Sequence, residues 1–286
     1  MNVKLQSPST IDEALRLKSE DPDSMFLAGG QTLVAMMNTD LVEPTALISL
    51  DGVSDLTSIE RQSDGSVRIG AMVRHVEIES SDQLQNAHSV VSSAAKVIAH
   101  PAIRNLGTIG GAICHGDPNA DFPAALVAAE ALVEIKGPDR SRELPAAEFF
   151  QDYLTTDLEE DELLTAIILP PASERSWGHY EKFARVDGDY ATTSVAVTLS
   201  LNEDATVDRL SIVLGASGAT PIRVASAEQD LQGGNLDSAS VMKAATDIAA
   251  ACDPLDDVRG SSEYRLLLIP RLIEKAVMKV KAMADS

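Results

Sequence analysis

Two short glycine motifs set the first limits on how this chain can fold: A-G-G-Q-T from Ala28 to Thr32 and T-I-G-G from Thr108 to Gly111. Each puts paired glycines after an apolar residue, where a backbone without Cβ atoms turns sharply and brings bare N–H groups against an anion such as a pyrophosphate. Neither is a dinucleotide or P-loop fingerprint. No G-x-G-x-x-G follows a strand, and no G-x-x-x-x-G-K-S or G-K-T occurs, so those two nucleotide cradles are excluded.

The elements around the motifs follow from periodicity. V-K-L-Q-S-P-S-T-I-D-E-A-L-R-L reads as a strand, a turn and a helix capped near Ser9 or Thr10, with Glu13 completing a capping box. Met25 to Ala28 is a short apolar strand running into the first glycine pair, which is then followed by a helix containing Val34 to Met37. Leu47 to Leu50 is another strand. Asp55 to Ala71 suits a hairpin turning at Asp64-Gly65, and Asn86 to Ala99 a helix ending at His100-Pro101, because proline disfavours helix in the residue before it. The second glycine motif falls in the loop beyond. Asp121 to Val133 reads as a helix with Pro123 near its first turn, Leu132 to Ile135 as a strand, and Leu163 to Leu169 as an interior strand or domain edge closed by two prolines. Thr193 to Leu201 and Leu210 to Gly215 are strands, and Ser238 to Ala251 and Tyr264 to Met283 are helices. The expected organisation is therefore a first subdomain over 1–55, a second over 56–172, and a C-terminal α+β domain over 173–286.

Composition narrows the function classes. A chain of 286 residues with 44% hydrophobic and 23% charged residues has a globular profile and length for two or three domains. Its net charge of -21 argues against nucleic-acid binding, which needs clustered Lys and Arg. No apolar run approaches the roughly 20 residues of a membrane span, and no basic-then-apolar leader opens the chain, so a cytoplasmic protein is expected. The cysteines Cys114 and Cys252 are too few for an iron–sulfur site, and His100, His115 and His179 lack metal-ligand spacing. No metal is assigned to this chain.

Several residues carry two readings. A glycine pair between strand and helix is either a plain turn or a binding loop, in which Gln31 and Thr32 could hydrogen-bond phosphate oxygens. Around the second pair, Gly107, Gly110 and Gly111 would each cost a regular element about 0.5 to 1 kcal/mol, which points to a buried turn lining a pocket. Asp121 suits a helix N-cap or a carboxylate accepting bonds from sugar-like hydroxyls. Trp177, Tyr180, Phe183 and Tyr190 are either core filling or a face for a flat conjugated ring.

These motifs taken in order, with I-R-N-L-G-T-I-G-G from Ile103, D-P-N-A-D-F-P from Asp117, and Y-E-K-F-A-R-V-D-G-D-Y-A from Tyr180, resemble the FAD-binding medium subunit of the molybdenum hydroxylases. Xanthine dehydrogenase and carbon monoxide dehydrogenase belong to that family. The likeness runs from L-Q-S-P-S-T-I-D-E-A-L near the start to G-S-S-E-Y-R-L-L-L-I-P-R-L in the closing helix. It implies an α+β fold, with a two-subdomain FAD-binding domain of the PCMH type before the C-terminal domain. The resemblance implies FAD between the two N-terminal subdomains, its pyrophosphate held by Ala28, Gly29, Gly30, Gln31 and Thr32 and by Thr108, Ile109, Gly110 and Gly111. A Cβ at Gly29 or Gly110 would then intrude on the pyrophosphate. Asp121 matches the aspartate that holds the ribityl chain, which reverses the balance of its two readings. Lys182 and Tyr190 match positions near the isoalloxazine, and Leu163, a looser match, packs on the ring. Ala112 departs from the asparagine of many members, leaving main chain alone to bind there.

The same resemblance implies an electron-transfer subunit with no catalytic residue of its own. A large molybdopterin subunit would oxidise the substrate, a small subunit with two [2Fe-2S] clusters would relay electrons, and this chain would collect them on FAD for a final acceptor, the three assembling as a dimer of heterotrimers. The alternatives are a free-standing FAD-dependent oxidoreductase, for which no acid–base pair stands out, and a flavin-free assembly module, against which the intact glycines argue.

Overall fold

The structure, a computed structural model, describes residues 3–286. Among the described residues three larger sheets succeed one another along the chain, and Phe150–Asp152 pairs with Thr155–Thr156 in a separate two-stranded ribbon. The first is parallel, with Ala46–Ser49 between Lys4–Gln6 and Met25–Leu27. The helix Ile11–Glu20 packs on it through Ala14 and Leu15, and starts where Thr10 accepts from the Glu13 N–H while the Glu13 carboxylate receives the Ser9 N–H.

The second sheet is antiparallel, in the order Ile59–Arg61, Val67–Gly70, Leu163–Leu169, Leu132–Lys136, Ser141–Pro145. Leu163–Leu169 lies in its middle, which accounts for its nearly unbroken apolar run: a central strand buried on both faces carries few polar residues, and its one polar side chain, Thr165, donates to the Glu134 carboxylate at 2.6 Å. The Asp64-Gly65 turn is present, with Gly65 at φ 90 and Asp64 accepting from the Ser66 N–H at 2.9 Å.

The third sheet is a meander of Ser176–Phe183, Thr193–Leu201, Val207–Gly215 and Ile222–Arg223. Alternation along its strands serves two cores at once. Val195, Val197 and Leu199 face a core closed by the helices Ser238–Ala249 and Ser262–Ala284. Tyr180, Ala196 and Val213 face the other way, into the large core of the second sheet. Gly178 permits this contact, since a Cβ there would sit 2.2 Å from the Ala87 carbonyl oxygen.

Several elements differ from the sequence reading. Asn86 to Ala99 divides into a 3-10 turn at Asn86–His88 and the helix Ser89–Val97. That helix ends before the proline because Ile98 is extended and Ala99 takes φ 43. The helix from Asp121 stops at Ala128, since Glu130 turns at φ 53 and Leu132–Lys136 then buries Val133 and Ile135 as a strand. The second glycine motif is not a loop: Ile109–Cys114 is a short helix, begun by Thr108, whose hydroxyl accepts from the Gly111 N–H at 3.2 Å. The strand Ser176–Phe183 was not anticipated from its aromatic clustering.

Candidate functional site

All three units contribute to one cleft of about 530 Å³, within the range of small-molecule and cofactor sites. Ala28 to Leu33 form one wall, Gly107, Thr108, Gly111 and Ala112 with Ala120 to Phe122 another, and Lys182 with Gly188 to Tyr190 the third.

The two glycine motifs have different tasks here. In the first, the N–H groups of Gly29, Gly30, Gln31 and Thr32 donate to no other protein atom among the described residues, while the Gln31 amide folds back onto the Gly29 carbonyl at 3.3 Å. Gly30 takes φ 69, a left-handed conformation that directs this run of amides. In the second, the amides are already used: Ile109 donates to Val73, Gly110 to Ala71, and Gly111 to the Thr108 hydroxyl. The first motif thus keeps unpartnered amides at the cleft, and the second is a fixed wall beside it.

The glycines at the junction also have a packing reason that the sequence did not reveal. A Cβ on Gly29 would lie 2.1 Å from the Leu106 carbonyl oxygen, and one on Gly110 would lie 2.7 Å from the Ala71 oxygen. Both would strike neighbouring backbone, which corrects the expectation that they would intrude on a pyrophosphate. Gly29 lets the first unit lie directly against the Leu106–Gly107 segment of the second.

Ala28, Gly29, Gly30, Gln31, Thr32, Thr108, Gly111, Ala112, Asp121, Lys182 and Tyr190 line the cleft. Ile109 and Leu163 do not: Ile109 is buried in the large core, and Leu163 packs in the small core that includes Met72, Ile48 and Leu50. Gly110 is likewise turned away, onto Ala71.

Asp121 is not a helix cap. Ala120 holds that position, and Asp121 begins the helix without a side-chain capping bond. Its carboxylate is 6% exposed and receives the Tyr180 hydroxyl at 2.8 Å and the Lys182 ammonium at 2.9 Å. Lys182 also donates to the Val97 carbonyl at 3.0 Å. Burial pushes the Asp121 carboxyl above its usual range, against the opposing pull of the Lys182 charge and the two hydrogen bonds. Two sites on the carboxylate are occupied, and a carboxylate offers about four.

Tyr190 overhangs the cleft with the Arg259 guanidinium 5.0 Å from its ring centroid, a cation–π contact. Asp189 receives both Arg185 and Arg259, fixing the loop that carries the tyrosine. Sequence reasoning missed His75 and Arg259. His75 lies against the Phe122 ring at 5.2 Å, and burial with the nearby Arg104 charge lowers its pKa to about 4, so it is neutral at pH 7. An isolated histidine outside any motif gave no signal. Arg259 was equally silent, far along the chain from Tyr190.

Comparison with known proteins bears on this cleft. Residues 1–172 match the family described as the FAD binding domain in molybdopterin dehydrogenase, and residues 178–280 match the CO dehydrogenase flavoprotein C-terminal domain. The chain is an FAD-binding medium subunit of the molybdenum hydroxylase family. This medium subunit is 35% identical to the nicotine 6-hydroxylase medium subunit of Paenarthrobacter nicotinovorans, over 98% of each chain. It is similar to a chain of the carbon monoxide dehydrogenase of Hydrogenophaga pseudoflava, with a TM-score of 0.93 and 33% identity over 99% of this chain and 98% of that one. It superposes equally on a chain of quinoline 2-oxidoreductase from Pseudomonas putida 86, at TM-score 0.93 and 28% identity, over 100% and 99% of the two chains. The unpartnered amides of the first motif and the size of the cleft fit FAD, the cofactor of the family. Among the described residues no helix is long and apolar enough to cross a membrane.

Proposed function

We propose that this subunit collects electrons from the [2Fe-2S] clusters of a small partner subunit and delivers them to a final acceptor, while substrate oxidation takes place on a large molybdopterin subunit. FAD, when bound, supplies the carrier that takes electrons singly and releases them in pairs. The chain's own residues bind and orient it. The N–H groups of Gly29 to Thr32 hold the pyrophosphate, with Ala28, Thr108, Gly111 and Ala112 shaping the wall beside it. Asp121, held by Lys182 and Tyr180, keeps acceptor sites for ribityl hydroxyls, and Lys182 and Tyr190 border the isoalloxazine. Divisions at residues 55 and 172 separate the units that close on the cofactor. The complex is a cytoplasmic dimer of heterotrimers.

The observation that carries this reading is the run of four unpartnered amides opening on a cleft shared by all three units. Purification of the chain alone tests it. The expected product is a yellow protein with one FAD, inert toward substrates by itself, whose flavin is reduced when a reduced [2Fe-2S] small subunit is added. Turnover of an organic substrate by the isolated chain, or a colourless chain that binds no FAD, would refute it.

A further inference from the structure

His75 opens the short helix His75–Glu79, and three contacts fix where its ring lies. Its main-chain N–H donates to the Gly107 carbonyl at 3.0 Å, and its ring stands 5.2 Å from that of Phe122. The third contact is a side chain that is missing. Gly107 leaves room for the imidazole, because a Cβ there would meet His75 Nε2 at 2.6 Å. Gly29 lies against Gly107 in turn, since its own Cβ would come within 2.9 Å of the Gly107 Cα. His75, Gly107 and Gly29 are therefore in contact in that order, and all three line the cleft.

The histidine is 5% exposed, and its Nδ1 is buried without a hydrogen-bond partner. Burial beside the Arg104 charge keeps the ring neutral at pH 7, so one nitrogen carries the proton. An N–H sealed in the interior without an acceptor is rarer than an unmatched lone pair. The proton accordingly belongs on Nε2, the nitrogen left to face a ligand in the cleft.

The wall that holds His75 is short of other donors. The amides of Ile109, Gly110 and Gly111 are engaged by Val73, Ala71 and the Thr108 hydroxyl. Lys182, the one Lys or Arg among the residues lining the cleft, is bonded to Asp121 and the Val97 carbonyl. Arg104 is likewise taken up by Glu79 and by the carbonyls of Ile98 and Ala99. A pyrophosphate seated on the amides of Gly29 to Thr32 would turn its remaining oxygens toward this wall, where side chains must supply the hydrogens. An N–H given to a phosphate oxygen makes a charge-assisted bond, stronger than one between neutral groups.

We propose that His75 is a FAD-binding residue, its Nε2–H donating to a phosphate oxygen from the wall beside the amides of Gly29 to Thr32. The inference rests on the placement of the pyrophosphate given under the proposed function. It assigns the ring a task that no sequence motif marks, and it gives Gly107 a reason to lack a side chain.

The test uses the full-length subunit freed of flavin and titrated with FAD. His75→Leu removes the donor together with the orphaned Nδ1, and His75→Gln keeps an N–H. His75→Leu is expected to melt with the wild-type apoprotein at pH 7.5 while binding FAD about 10- to 150-fold more weakly, and to shift a phosphorus resonance of bound FAD in 31P NMR. His75→Gln should recover affinity to within about threefold of wild type. Unchanged affinity in His75→Leu would overturn the proposal, as would weaker binding with an unmoved phosphorus spectrum, the mark of a packing role, or a His75→Gln variant no better than His75→Leu. Wild-type FAD whose phosphorus resonances do not move on binding would instead overturn the placement of the pyrophosphate.

Discussion

Replacing Gly29 by alanine tests whether the first glycine motif joins two units as well as facing a cofactor. The added Cβ would stand 2.1 Å from the Leu106 carbonyl oxygen and 2.9 Å from the Gly107 Cα, against 3.4 Å or more for ordinary contact. Neither neighbour is a flexible side chain, so the two backbones must part by more than an ångström. Overpacking of this kind costs about 1 to 3 kcal/mol. In a protein of this size that lowers the melting temperature by roughly 2 to 12 °C. If the same displacement is transmitted to the free amides of Gly29 to Thr32, FAD affinity falls about 5- to 150-fold. Thermal unfolding of the apoprotein separates the two effects, because the clash is internal and needs no cofactor. Gly30→Ala is the control: at φ 69 its Cβ meets only side chains, Val34 at 3.3 Å and Leu27 at 3.5 Å, and the left-handed backbone costs about 1 to 2 kcal/mol. A Gly29→Ala apoprotein that melts with the wild type but has lost FAD binding would refute the reasoning and return the Cβ to the pyrophosphate's space.

Asp121→Ala should lower the melting temperature of the apoprotein as well as weaken FAD. It leaves the Lys182 ammonium buried without its carboxylate, a loss of about 3 to 5 kcal/mol, beyond the roughly 1 to 3 kcal/mol of a lost cofactor bond. An apoprotein of unchanged stability, measured by urea titration, would contradict the buried pair. His75 makes stability depend on pH. Its folded-state pKa of about 4 lies below the ordinary 6.5, so between these values the unfolded chain binds more protons. Stability therefore declines as pH falls from 6.5 toward 4, by about 3 kcal/mol when complete. His75→Asn should flatten that limb in melts across pH 4 to 7.5, leaving the smaller slope of buried His88, and parallel curves would count against it.

The parts of the fold that could be read in the sequence were those whose cause is local. The Thr10 cap with Glu13, the Asp64-Gly65 turn and the apolar run Leu163–Leu169 each state their structure within a few residues. Readings failed where a distant partner decides the conformation. Thr108 to Gly111 forms a helix because Ala71 and Val73 accept its amides, and Asp121 turns from capping because Tyr180 and Lys182 approach from another sheet. The cofactor class was legible through resemblance. The division of labour between the motifs was not, since two similar glycine pairs differ only in which amides other segments have already engaged.

The central position of Leu163–Leu169 has a consequence for how the protein is made. Val67–Gly70 leaves the ribosome long before the strand that must pair with it, and Leu132–Lys136 also waits for that same strand. At translation rates of about 5 to 20 residues per second, the earlier strand spends roughly 5 to 20 s with its inner edge open. A nascent chain arrested before residue 163 has every outer strand of this sheet and no keystone. Such intermediates offer open strand edges, with unpaired N–H and C=O groups, to one another, so closure of this sheet waits on seven residues that line no part of the cleft.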